Sequence, residues 1–74
     1  MKMNIYDIKI PPHMAHSKIG REKLRSKFLY YHYNGKFESK IVVNKDWYLM
    51  DGLTSVVIAK TYGLEEVEVD VFER

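Results

Sequence analysis

The segment Ile5-Tyr6-Asp7-Ile8-Lys9-Ile10 puts Ile8 and Ile10 on one side and Asp7 and Lys9 on the other. That period of two predicts a half-buried strand, which Pro11-Pro12 ends. His13 to Gly20 has no clear period and reads as a surface loop, with Ser17 or Gly20 as the candidate helix start. From about Arg21 to Tyr33 the positions Leu24, Phe28 and Tyr31 follow i, i+4, i+7 with Leu29 beside them, so a helix with one core-facing stripe is predicted. Asn34-Gly35 closes it, because Gly tolerates the left-handed conformation that commonly ends a helix. The β-branched run Ile41-Val42-Val43, the turn-like Asn44-Lys45-Asp46 and the returning Trp47-Tyr48-Leu49-Met50 predict a hairpin, after which Asp51-Gly52 turns the chain again.

Leu53 to Tyr62 satisfies two readings. Thr54 to Ile58 is strand-like by propensity, while Leu53, Val56, Val57 and the stop at Gly63 suit a helix. Apolar residues on nearly all sides mean that a helix here is deeply packed. The last segment, Val67-Glu68-Val69-Asp70-Val71, alternates apolar and acidic residues without exception and predicts a strand with one buried and one wet, negative face. Together the elements give an α+β class: a small mixed sheet of about four strands with two helices, in the order β-α-β-β-α-β. At 74 residues one domain over 1–74 is expected.

Composition narrows the function classes. Apolar residues make up 46% and charged residues 30%, a globular balance, so the chain is expected to pack a core. Cysteine is absent, which removes disulfides, thiolate zinc sites and cysteine nucleophiles. His13, His16 and His32 lack metal-ligand spacing, and Glu65-Glu66 and Glu68/Asp70 alternate with core positions as strand residues do. Neither a metal site nor a carboxylate-pair hydrolase is expected, and no cofactor is implied. No apolar run approaches the roughly 20 residues that span a bilayer, so a cytoplasmic location without membrane association is expected.

The net charge of +2 hides an uneven distribution. Residues 1–40 carry nine Lys/Arg against three Asp/Glu, and residues 41–74 three against seven. Lys18, Arg21, Lys23, Arg25 and Lys27, with Tyr30 and neighbouring tyrosines after them, mix cations with rings as a nucleic-acid or protein-partner surface does. Alternate residues on a helix are about 200° apart, so these cations do not share one narrow stripe.

From Gly35 onward the order Gly35-Lys36-Phe37, Ile41-Val42-Val43-Asn44, Leu49-Met50-Asp51-Gly52, Ile58-Ala59-Lys60, Gly63-Leu64 and Val67-Glu68-Val69 resembles the ParB-like N-terminal domain, within the ParB/sulfiredoxin-like group. The resemblance implies the β-α-β-β-α-β fold and a bacterial, phage or plasmid source. It also implies an anion or nucleotide site at Asp51, Gly52, Thr54 and Ser55, since relatives that use CTP or ATP carry an Arg at the start of the following helix. Here Ser55 stands at that position, and a hydroxyl replaces neither the charge nor the fork of a guanidinium. Sulfiredoxin chemistry also needs a Cys that this chain lacks. The expectation is a non-catalytic module that engages DNA or a DNA-associated protein. A nucleotide switch or enzyme of the ParB/sulfiredoxin type, and a small inhibitor or adaptor of a protein partner, are the alternatives.

Overall fold

A computed structural model describes residues 1–15 and 19–72. Its elements are β1 (Lys2–Asn4), a single 3-10 turn over Ile5–Asp7, α1 (Pro12–Ala15), α2 (Arg21–Asn34), β2 (Ile41–Asn44), β3 (Leu49–Asp51), α3 (Leu53–Thr61) and β4 (Glu66–Phe72). The α+β class and the order of strands stand as read, with a third, four-residue helix at the start of the expected loop. Pro at a first helical position costs no hydrogen bond, which suits Pro12 to begin it.

The sheet runs β1-β4-β2-β3, with β4 antiparallel to β1 and parallel to β2, and β3 antiparallel to β2. The acidic alternating strand is therefore central. Its first half pairs with β1, as in Met3 opposite Val67, and its second half with β2, from Ile41 opposite Val69 to Asn44 opposite Phe72. A parallel pair needs a crossover, and α3 supplies it between β3 and β4. Met3, Ile41, Val43, Leu49, Val67 and Val69 point inward and pack with Ile5, Ile8, Val56 and Ala59. The other face of β4 carries Glu66, Glu68 and Asp70 in the open. There the Met1 ammonium donates to Glu68 Oε1 at 2.7 Å and holds that carboxyl below its usual range.

The first predicted strand is displaced. Pairing occurs at Lys2–Asn4, and Asn4 Oδ1 accepts from the Tyr6 amide at 2.9 Å, which bends the chain into the 3-10 turn. The alternation of Ile8 and Ile10 is real, since Ile8 is buried and Ile10 packs on the core, but this stretch joins the sheet only through Lys9 beside Tyr48. The returning hairpin strand also starts later than read, at Leu49, because Trp47 sits in the turn with φ at 68°.

Leu53 to Thr61 is helical, and Thr54, Ser55, Val56, Ile58 and Ala59 are all buried in it. The helix α2, by contrast, has no fully buried residue. It is held to α3 by rings: Tyr31 lies 5.0 Å and Phe28 6.0 Å from Tyr62, and Tyr31 stacks on Phe37 at 4.8 Å. Leu29, expected beside the stripe, is exposed.

Gly52 fixes where α3 begins. Its φ of +90° is one that L side chains rarely adopt, and an added Cβ would collide with the Lys40 carbonyl oxygen and come within 2.8 Å of the Ile41 Cα. Gly52→Ala is therefore expected to lower stability by at least about 2 kcal/mol, combining left-handed strain of about 1–2 kcal/mol with overpacking against immovable backbone. Urea unfolding followed by far-UV circular dichroism checks this; a midpoint unchanged from wild type contradicts it.

Candidate anion-binding cleft

The cations and the Asp-Gly turn, which are far apart in sequence, meet in the fold. Lys23 and Lys27 of α2, Asp51 at the end of β3, and Gly52, Leu53 and Thr54 at the start of α3 line one cleft of about 280 Å³, together with Ile19, Gly20 and Ser39. Both helices begin at this cleft. The residue before each is a glycine, Gly20 and Gly52, and neither helix has a side-chain cap. The first amides of α3 thus lack an intrahelical acceptor, the first ladder bond being Val56 N–H to Gly52 C=O at 3.1 Å. Each helix start carries roughly half a positive charge, which the Asp51 carboxylate on the same wall offsets, so the excess of positive charge comes from Lys23 and Lys27.

Asp51 does not cap those amides. Its Oδ1 accepts from the adjacent Gly52 N–H at 2.9 Å, and the helix amides beyond are left to the cleft. Ser55 is not in the cleft at all. It is 2% exposed, and its hydroxyl donates to the Ser39 carbonyl at 2.6 Å, tying α3 to the segment that leads into β2. Thr54 is buried at the cleft wall.

The basic helix divides as 100° steps require. Lys23, Lys27 and the half-buried Tyr30 share the side toward the cleft, while Arg21 and Arg25 share another, exposed one. Lys27 is engaged internally: its side chain is 18% exposed, donates to Ser39 Oγ at 2.9 Å and lies 3.5 Å from Glu38. Among the described residues, Arg21, Lys23 and Arg25 make no ion pair. Lys18 lies outside the described residues. No group of three or more His, Asp or Glu among the described residues could hold a metal ion, and no helix there is long and apolar enough to cross a membrane.

Two roomier hollows lie elsewhere. One, of about 510 Å³, runs beside Tyr31, Phe37 and Leu64 and is walled by Glu66, Glu68 and Asp70 against Lys36 and Lys40, so it has no excess of cations for an anion. The other, of about 520 Å³, lies beside Trp47. What sequence reading missed is the convergence itself. The Gly before each helix is its only local signal, marking two helix starts without a capping side chain.

A sheet of order β1-β4-β2-β3 with a crossover helix on its inner face and a second helix beside it defines a ParB-N-like fold. A solved structure described as the C2221 form of a Pnob8-like ParB-N domain superimposes on all of this chain with a TM-score of 0.83, at 15% sequence identity. The chain corresponds to 29% of that protein's length. No family model matches the chain, and the search of curated proteins gave no match.

Because Ser55 is enclosed and bonded, it is a structural residue, and two outcomes follow. Ser55→Ala is expected to cost about 1–3 kcal/mol by leaving the Ser39 carbonyl without its donor. Ser55→Arg, which restores the relatives' residue type, is expected to unfold the domain and not to create a nucleotide site, since it buries a charge. Calorimetry of the wild type with CTP or ATP and Mg²⁺ is expected to give no binding below millimolar concentration. A micromolar dissociation constant, or a folded Ser55→Arg protein that binds nucleotide, contradicts this.

Proposed function

We propose that these 74 residues act as one non-catalytic binding module, cytoplasmic and of bacterial, phage or plasmid origin, which engages nucleic-acid phosphates through the start of α2 and the cleft beside it. The observation that carries this reading is the coincidence of two uncapped helix starts with Lys23 in the cleft, while the exposed Arg21 and Arg25 lie on another side of the same stretch of α2. Cations in the first turns of a helix oppose its dipole by about 0.3–1 kcal/mol each, so a free surface does not gain by placing them there, whereas a phosphate does. No nucleophile with a base beside it accompanies them among the described residues, which supports binding and not reaction.

A free phosphate compound in the same cleft is the second reading. The cleft's concavity favours it, although about 280 Å³ lies just under the roughly 300–1,000 Å³ of small-molecule sites. Phosphate groups of a polymer need only a local seat, so the first reading fits the volume better. A protein partner on the same face is the outcome left if neither binds.

Binding to generic DNA is expected to weaken linearly in log[salt], with a slope of roughly 0.7 to 0.9 per phosphate contact. Charge reversal of Arg21 and Arg25 to Glu is expected to reduce affinity by at least about tenfold at low salt, while stability is not lowered and rises by up to about 1 kcal/mol as the opposition to the helix dipole is relieved. Filter retention or fluorescence anisotropy reads the affinity. Lys27→Gln serves as the contrast, since Lys27 is occupied by Ser39 and Glu38: it is expected to lower stability more than affinity. Wild-type protein that retains no DNA at low salt and tens of micromolar removes the reading.

A further inference from the structure

We propose that Trp47 is a stacking platform for an unpaired base, so that the nucleic acid engaged is single-stranded; this rests on the reading above. Trp47 occupies the left-handed position of the loop between β2 and β3, with φ at 68°, and is the only described non-glycine residue with positive φ. Asn44 frames that loop by accepting from the amides of Asp46 and Tyr48 at 2.9 and 3.0 Å, and the Trp47 N–H donates to the Asn44 carbonyl at 3.0 Å. Such a position favours Gly or Asn, and a bulky residue there is an outlier.

Neither ring stacking nor a side-chain hydrogen bond accounts for the outlier. The Trp47 residue is 38% exposed, the rest of its surface being covered by the protein. It makes no ring contact with another aromatic or with a cation among the described residues, and its indole N–H donates to no protein group. A strained backbone therefore holds a partly exposed indole at the edge of a hollow of about 520 Å³.

The hollow's lining supplies the rest. Lys2 and Lys9 flank it against one carboxylate, Asp7, and the loop itself brings Lys45 and Asp46 just before Trp47. Lys9 Nζ lies 5.3 Å from the ring centre of the half-exposed Tyr48, the residue that follows Trp47. A partly exposed aromatic ring with ammonium groups around it is the chemistry that receives a base and its phosphates, and a duplex cannot offer an unstacked base.

Trp47 is the sole tryptophan, so its fluorescence reports the contact directly. Titration of the full chain at low salt with an oligothymidylate of about a dozen nucleotides is expected to quench it saturably, and a duplex of equal length to quench it far less. Trp47→Gly, which relieves the left-handed strain, is expected to bind the oligothymidylate about tenfold or more weakly, with duplex affinity and thermal midpoint not reduced. If the protein retains DNA but the fluorescence does not respond, this inference fails and the phosphate reading stands. If no oligonucleotide binds, both fail. Protection of the ring from acrylamide that grows with protein concentration, without DNA, assigns it to a contact between copies and overturns the proposal. Should Trp47→Gly not fold, wild-type quenching still decides, and Trp47→Tyr, which keeps a ring, is expected to retain single-strand preference.

Discussion

The position of α3 on the sheet rests on one backbone approach, that of Gly52 to the Lys40–Ile41 peptide. No side chain fits between them. The Ser55 hydroxyl then fastens the first turn of α3 to the Ser39 carbonyl, so the helix is held by two contacts to the chain entering β2. From that placement follow the burial of Val56, Ile58 and Ala59 and the parallel pairing of β2 with β4, since α3 is the crossover that joins them. It also fixes where the free amides of α3 open, and so sets one wall of the cleft.

The other wall is less firmly built. The helix α2 buries no residue completely and leans on α3 through Phe28, Tyr31 and Tyr62, with Lys27 reaching across to Ser39 and Glu38. Ser39 is thus shared: its carbonyl accepts from Ser55 and its hydroxyl from Lys27. One residue connects both helices to the sheet, and it lines the cleft.

How far the sequence carried differs by element, for physical reasons. The strand β4 was legible because its apolar and acidic residues alternate without exception, and the helix α2 because Leu24, Phe28 and Tyr31 recur at helical spacing before the stop at Asn34-Gly35. The helix α3 was ambiguous because burial on nearly all sides erases periodicity. The first strand was misplaced because Ile8 and Ile10 are core residues on an extended segment that meets the sheet only at Lys9; alternation reports which side is buried, not which chain is the neighbour. At the site, the cations of α2 and the Asp51-Gly52 turn were both visible as residues. Their meeting was not, since about thirty residues and two strands separate Lys23 from Gly52 and only the fold joins them. Ser55 was placed at the relatives' Arg position, yet its burial depends on the Gly52 contact, which no local pattern encodes.

Two local choices run against stability in this small domain: unpaired cations at the positive end of α2, and a tryptophan where the backbone favours glycine. A domain of this size has a thin margin, on the order of 3–5 kcal/mol from a single core, and each of these choices removes a noticeable share of it. Elsewhere the chain follows local rules closely, with glycine at each of its other left-handed positions and an apolar residue at nearly every inward one. Violations confined to a few positions, in a chain that otherwise respects its local preferences, are expected where binding and folding make opposite demands. The two violations are also chemically matched, cations for phosphates and a partly exposed ring for a base. On the reading proposed above, a polymer that carries both groups along its length accounts for both, while a lone phosphate compound accounts only for the first.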